Sequence, residues 1–198
     1  MTQIRHAVFD LNDVLDNWFP MLLDFTNNKF GTNCQLKDVR SHGFWKYFGI
    51  TREQGLQTVH EFYRLAFGTV RPIPEAQAGI AELSEKYWLT LLTDNALEND
   101  FYIYEFIMRH YPARFGQIII TNKVAASGIR LSKSDFCEQI RPIVFVEDSA
   151  ENAINCAEFC GKVFLLKYPR NEDFKDLPGN VIPVADWNEL MKILSPLP

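Results

Sequence analysis

The chain has 198 residues, 47% of them hydrophobic, and a net charge of −5, which is enough apolar material for a substantial core and too much for a disordered segment. The acidic balance and the lack of a basic run argue against a nucleic-acid polymer or an anionic membrane as partner, because those surfaces are bound through clustered Lys and Arg. No apolar run approaches the roughly 20 residues that span a bilayer, and the first apolar strand is too short for a signal peptide, so a cytoplasmic protein is expected. The four cysteines, Cys34, Cys137, Cys156 and Cys160, are expected as free thiols packed in the interior and not as a disulfide framework.

In chain order, Ile4 to Phe9 reads as an apolar strand that ends abruptly in Asp10, which puts a carboxylate at a strand end. About 80 residues separate it from the next strand, Leu89 to Thr93, far more than a simple crossover needs. Phe19 to Phe30 and Leu36 to Phe48 are helical candidates followed by the breakers Gly31 and Gly49. Thr51-Arg52-Glu53-Gln54 reads as a capping box, with Leu56, Val59, Phe62 and Ala66 at helical spacing behind it, predicting a helix from 52 to about 67. These pieces make a small helical cap over residues 16–70, inserted into a core domain formed by 1–15 and 71–198. Arg71-Pro72-Ile73-Pro74 returns the chain to that core, with Pro74 placed to open a helix from Glu75 to Lys86. Further strands follow at Gln117 to Ile120, Ile143 to Val146, Val163 to Leu166 and Val181 to Val184, mostly separated by helical patterns. Right-handed βαβ crossovers then give an α/β fold with a doubly wound, mostly parallel, Rossmann-like sheet.

The strand ends carry chemistry. Ala7-Val8-Phe9-Asp10-Leu11-Asn12-Asp13-Val14-Leu15 resembles the first motif of the haloacid dehalogenase-like (HAD) phosphatases, D-x-D-[GD]-[VT], whose first Asp is the nucleophile and whose second is the general acid/base. Asp10 matches the nucleophile, but the second Asp is Asn12. Leu89 to Asn95 resembles the second motif, in which the Thr93 hydroxyl and the N–H groups around Asp94 and Asn95 hold phosphoryl oxygens. Lys133, opening a helix in Ser132-Lys133-Ser134-Asp135, resembles the third, with Lys123 a nearby competitor. Val144 to Ser149 resembles the fourth, an acidic pair, Glu147 and Asp148, that holds Mg²⁺.

The physics agrees with the resemblance. Phosphoryl transfer is catalysed by positioning and by neutralising the charge spread over the phosphoryl oxygens, and a carboxylate, a hard cation, a hydroxyl cradle and a lysine make that set. Mg²⁺ demands oxygen ligands. The expected donors are the Asp10 carboxylate, the Asn12 main-chain carbonyl and Asp148, with Glu147 either a ligand or an orienting group.

The likeness extends over nearly the whole chain and looks like the 5′(3′)-deoxyribonucleotidase-type branch of the superfamily. That branch lines its base pocket with aromatic residues from the cap, for which Trp18, Phe44 and Trp45 are the matching candidates; packing within the cap is the competing role. His60, in the same cap, reads as a partly buried packing residue. The implied function is a Mg²⁺-dependent phosphomonoesterase working through an aspartyl-phosphate on Asp10 and weakened by Asn12. Its partner would be a small phosphorylated substrate such as a nucleotide, in a monomer or homodimer. The alternative is a catalytically impaired relative that binds a phosphorylated ligand or a protein partner.

Overall fold

The structure is a computed structural model that describes residues 5–41, 43–125 and 128–195. Its frame is one sheet of six strands: β1 (His6–Phe9), β2 (Trp88–Thr93), β3 (Gln117–Ile120), β4 (Val144–Glu147), β5 (Lys162–Leu166) and β6 (Val181–Val184), in the order β3-β2-β1-β4-β5-β6. Every pairing is parallel. This is the expected doubly wound sheet, and the expected strands lie within a residue or so of the observed ones; the proposed start of β1 at Ile4 falls outside the described residues. Strands covered on both faces should be apolar throughout, and Ala7, Val8, Phe9, Val144, Phe145 and Val146 are all completely buried.

Chain order reverses between β1 and β4, the switch point at which doubly wound sheets open a crevice beyond the carboxyl ends of their strands. The ladder carries one step further there, with the Asp10 N–H donating to the Val146 carbonyl at 3.0 Å. The end of β1 is thereby fixed beside the acidic end of β4.

The helices are α1 (Trp18–Phe30), α2 (Arg52–Leu65), α3 (Pro74–Leu83), α4 (Asp100–His110), α5 (Lys133–Ile140), α6 (Ala150–Ala157) and α7 (Trp187–Leu194). The Thr51 capping box forms, with Gln54 N donating to the Thr51 side chain and Thr51 N to Gln54 Oε1, and Pro74 opens α3. Gly31 and Gly49 end their segments with φ near +65°, where a Cβ would be strained.

The expected helix from Leu36 to Phe48 does not exist. Two short 3-10 turns, Leu36–Asp38 and Phe44–Phe48, stand in its place. Asp38 Oδ2 turns back to accept from Gln35 N, Val39 is extended, and the Ser41 to Gly43 stretch offers poor helix formers between the two apolar runs.

The segments leaving and re-entering the sheet run side by side. Asn17 N donates to Arg71 O and Arg71 N to Asn17 Oδ1, while Ile73 N donates to Leu15 O. Among the described residues no helix is long and apolar enough to cross a membrane. Cys137, Cys156 and Cys160 are buried free thiols, and Cys34 is partly exposed.

Candidate active site

A cleft of about 410 Å³ opens at the switch point. Its floor is built from strand ends and the loops that follow them, and its opposite wall from the segment inserted between β1 and β2. Asp10, Asn12, Thr93, Asp94, Asn95, Lys133 and Asp148 all line it, as do Trp18, Phe44 and Trp45. All the site residues expected from the sequence therefore converge on one cavity.

Two buried cations organise the floor, each bridging two carboxylates. Lys133, the first residue of α5, lies with Nζ 2.6 Å from Asp10 Oδ1 and 2.8 Å from Glu147 Oε2. Its place is set by Ser132, whose hydroxyl accepts from Asp135 N while Ser132 N donates to the Asp135 carboxylate. Arg170, in the loop after β5, donates through Nε to Asp148 Oδ2 at 3.0 Å and through Nη2 to both Asp148 Oδ2 and Asp13 Oδ2. The guanidinium lies over the rings of Tyr168 and Phe19, 4.5 Å and 5.0 Å from their centroids. Asp13 takes a left-handed backbone, φ 61°, and accepts from Phe19 N; through its bond from Arg170 it closes the first loop. Asp16 is fully buried and accepts from the N–H groups of Asp13 and Trp18.

Negative charge exceeds positive charge in this small volume. Burial pushes the Asp10 carboxyl up to about 6, against the pull of Lys133, and it does the same to Asp13 against Arg170. Glu147 is driven well above the usual carboxylate range by the same desolvation. Burial alone would lower the Lys133 ammonium, but Asp10 and Glu147 hold it above its ordinary value.

The donor set suits a hard cation. One oxygen from each of Asp10, Glu147 and Asp148 lies within 4.8 Å of the others. Asp10 Oδ1 is buried without a well-aligned hydrogen bond even though Lys133 is close, and the Asn12 main-chain carbonyl accepts no hydrogen bond among the described residues. An all-oxygen group with surplus negative charge is what Mg²⁺ selects. Glu147 belongs to that group while also accepting from Ser149 N and Asn152 Nδ2.

Thr93, at the end of β2, is buried and accepts from Asn95 Nδ2 at 2.9 Å. The Asp94 side chain is bound by Thr121 Oγ1, Asn152 Nδ2 and Lys123 Nζ, at 2.7, 3.1 and 3.2 Å. Burial would raise its carboxyl, but Lys133, Thr121 and Lys123 together hold it below the usual range. Lys123 therefore sits at the cleft beside Asp94, and Lys133 is the lysine at Asp10. Asn12 presents Oδ1 to Asn95 Nδ2 at 2.6 Å and Nδ2 to Asp16 Oδ2 at 3.5 Å.

On the opposite wall Trp45 is partly buried and Phe44 buried in edge contact with it. Trp18 lines the cleft while its ring also meets Phe62 and Tyr63. His60 is not the packing residue its sequence context suggests: it is exposed at the rim, Nδ1 3.7 Å from Glu98 Oε1, because its position on α2 faces the cleft and not the helix's buried side. The sequence also left Arg170, Asn152, Asp16 and Tyr63 without a role. For Arg170 the one local signal is its place directly after the strand-end segment Lys167-Tyr168-Pro169.

A parallel sheet with an acidic cluster at the ends of β1 and β4 and a lysine between them defines a hydrolase of the HAD-like type, and the comparisons agree. The chain belongs to the family of 5′ nucleotidase, deoxy (pyrimidine), cytosolic type C proteins (NT5C), whose model matches residues 4–195. It is a phosphate-monoester hydrolase by that membership. Solved structures with the same fold include a protein described as a predicted phosphatase from Clostridium acetobutylicum (15% identity over 99% of this chain and 100% of that one, TM-score 0.69). A predicted phosphoglycolate phosphatase from Haemophilus somnus 129PT is similar at 17% identity, covering 98% and 99% of the two chains with a TM-score of 0.63. So is the HAD-hydrolase YfnB of Bacillus subtilis, bound to magnesium in its own structure, at 14% identity, 97% and 99% coverage and a TM-score of 0.62. A comparison with curated protein sequences gives no significant match.

Proposed function

We propose that this chain is a cytoplasmic, Mg²⁺-dependent phosphomonoesterase that acts on a nucleotide or a comparable small phosphate ester through an aspartyl-phosphate on Asp10, with turnover weakened by Asn12. The observation that carries the reading is the Asp10 carboxylate, buried, paired with Lys133 at 2.6 Å and facing a cleft whose far wall is aromatic. A carboxylate oxygen of Asp10 attacks phosphorus, the phosphorus–oxygen ester bond breaks, and the leaving alkoxide needs a proton. Lys133 neutralises the nucleophile and the phosphoryl oxygens, and Thr93 with the following N–H groups holds those oxygens in place. Asp10, Asp148 and the Asn12 carbonyl would hold Mg²⁺, with Glu147 at the same cluster, and the ion would supply further neutralisation of phosphoryl charge. Attack of water then releases phosphate from Asp10, a step that calls for a base.

An amide at position 12 can neither protonate the alkoxide nor activate that water. A phosphatase panel run on this chain and on its Asn12→Asp form tests the reading. If neither form hydrolyses any ester while fold and Mg²⁺ binding persist, the chain is a binding protein for a phosphorylated ligand.

We assign residues 16–70 to a cap that selects the substrate, carried on the paired segments at Leu15–Asn17 and Arg71–Ile73. Its contribution to the cleft is largely apolar, through Trp18, Phe44, Trp45, Leu56 and Val59. Base–aromatic stacking is worth about 1–3 kcal/mol per base. Trp45→Ala should accordingly weaken binding of a nucleoside monophosphate by about 5- to 150-fold while inorganic phosphate binds as before. Equal losses for both ligands in calorimetric titrations would make Trp45 a residue of cap packing.

For the metal, Asp148→Ala should abolish Mg²⁺ binding in the same kind of titration. It should also abolish the thermal stabilisation that Mg²⁺ gives the parent, about 2.7 kcal/mol at a hundred times the dissociation constant. Unchanged affinity would remove Asp148 from the ligand set.

A further inference from the structure

A threonine that holds a phosphoryl oxygen must have its hydroxyl proton free to give, and the surroundings of Thr93 are arranged for that. The arrangement begins in the segment inserted between β1 and β2. Tyr63, on α2, is buried with its ring stacked on Phe67 at 4.8 Å, and its Oη donates to Asn95 Oδ1 at 2.5 Å. The other end of that amide, Asn95 Nδ2, donates to Thr93 Oγ1 at 2.9 Å and to Asn12 Oδ1 at 2.6 Å.

An amide is planar, with its acceptor and its donors on opposite arms. With Oδ1 committed to the phenol, the amino group is the arm that faces Thr93. Thr93 therefore receives a hydrogen bond on an oxygen lone pair, and its own proton has no acceptor among the described residues. Thr93 is among the residues lining the cleft, so a phosphoryl oxygen bound there is the acceptor left for its proton. Were the amide turned over, Oδ1 would take the threonine proton and withdraw it from the ligand. Asn12, whose Nδ2 faces Asp16, favours the observed orientation as well, but the hydroxyls of Thr93 and Tyr63 can each donate or accept. The phenol is buried and its proton is given to Asn95 Oδ1, so turning the amide over would cost a buried hydroxyl its acceptor.

We propose that Tyr63 is a positioning residue for phosphate binding: by holding the Asn95 carbonyl it turns the amino group onto Thr93 and so releases the Thr93 hydroxyl proton toward the phosphoryl oxygen. This rests on the phosphate site proposed above. It also gives the inserted segment a part in the phosphate cradle, in addition to the apolar wall it offers to the rest of the substrate.

Tyr63→Phe tests the idea, because it keeps the ring and its stacking and removes the donor alone. Inorganic phosphate, titrated calorimetrically with saturating Mg²⁺, should bind about 10- to 100-fold more weakly, the worth of one hydrogen bond to a charged group. In a Thr93→Ala background the same change should cost nothing further, since the two residues act in series. Fully additive losses would overturn the proposal, because Tyr63 would then act through the packing of α2.

A second measurement needs no ligand. In ¹⁵N–¹H spectra, the Asn95 side-chain amino protons should show contacts to Thr93 and slow exchange with solvent in the parent, and should lose both in Tyr63→Phe. Asn95 resonances indifferent to the substitution would also overturn the proposal. If the parent protein binds no phosphate, the phosphatase reading fails, and the spectra still decide whether Tyr63 sets the amide.

Discussion

Replacing Asn12 with Asp should raise steady-state hydrolysis of phosphate esters by about 10²- to 10⁴-fold, the contribution that a placed general acid/base makes. The exchange keeps one contact and alters another: the oxygen that replaces Nδ2 would face Asp16 Oδ2, part of a carboxyl that burial already holds well above the usual range, so the pair would share a proton. Asn12 Oδ1 already accepts from Asn95 Nδ2, and a carboxylate oxygen would accept there equally well, while the main-chain carbonyl offered to the metal is untouched. The parent, tested with an activated ester whose leaving group needs no proton, should release one equivalent of leaving group per site and then slow, because water must attack the aspartyl-phosphate without a base. Rapid-quench measurement of that burst, followed by its conversion into turnover in the Asn12→Asp variant, is the decisive pair of observations. A parent that turns over as fast as the Asn12→Asp variant would mean that another group already does the work of an acid at this position.

The second large effect is on stability. Lys133→Met should destabilise the protein by about 3–5 kcal/mol, because it leaves Asp10 and Glu147 together in the interior with no counter-charge, and it should abolish phosphate binding. Lys123→Met should cost no more than about 1 kcal/mol, since that side chain is 42% exposed and its pairing with Asp94 is screened by solvent. Urea unfolding of both variants in the presence of a chelator separates the two lysines. Similar midpoints would remove the distinction between a lysine built into the site and one at its edge.

Much of this was legible from the sequence, for reasons that can be stated residue by residue. Strand ends are marked by apolar runs that stop at a polar residue, so Asp10, Thr93 and Asp148 announced both their strands and their common edge. Capping chemistry is local, so the starts of α2 and α5 could be read from four residues each. Long-range pairings leave no such mark. Arg170 reaches Asp13 across 157 positions from a loop that reads as ordinary, and only the folded sheet shows that it closes the first loop. Tyr63 sits at helical spacing among Val59, Phe62 and Phe67, where an aromatic residue looks like core whether or not its hydroxyl has a task. No continuous helix forms over 36–48, because the Ser41 to Gly43 stretch sets poor helix formers between the two apolar runs and Gly49 marks only where the second of them stops.

Each cationic bridge joins a carboxylate near in sequence to one at the far end of the chain. Lys133 and Glu147 are 14 positions apart, so α5 and β4 can bring them together while the rest of the sheet is still loose. Arg170 is 22 positions from Asp148 but 157 from Asp13, and Lys133 must likewise reach back to Asp10; contacts of the larger separations are the ones whose closure costs most. The carboxyl end of β1 is thus closed by two cations that arrive from the far half of the chain, Lys133 at Asp10 and Arg170 at Asp13.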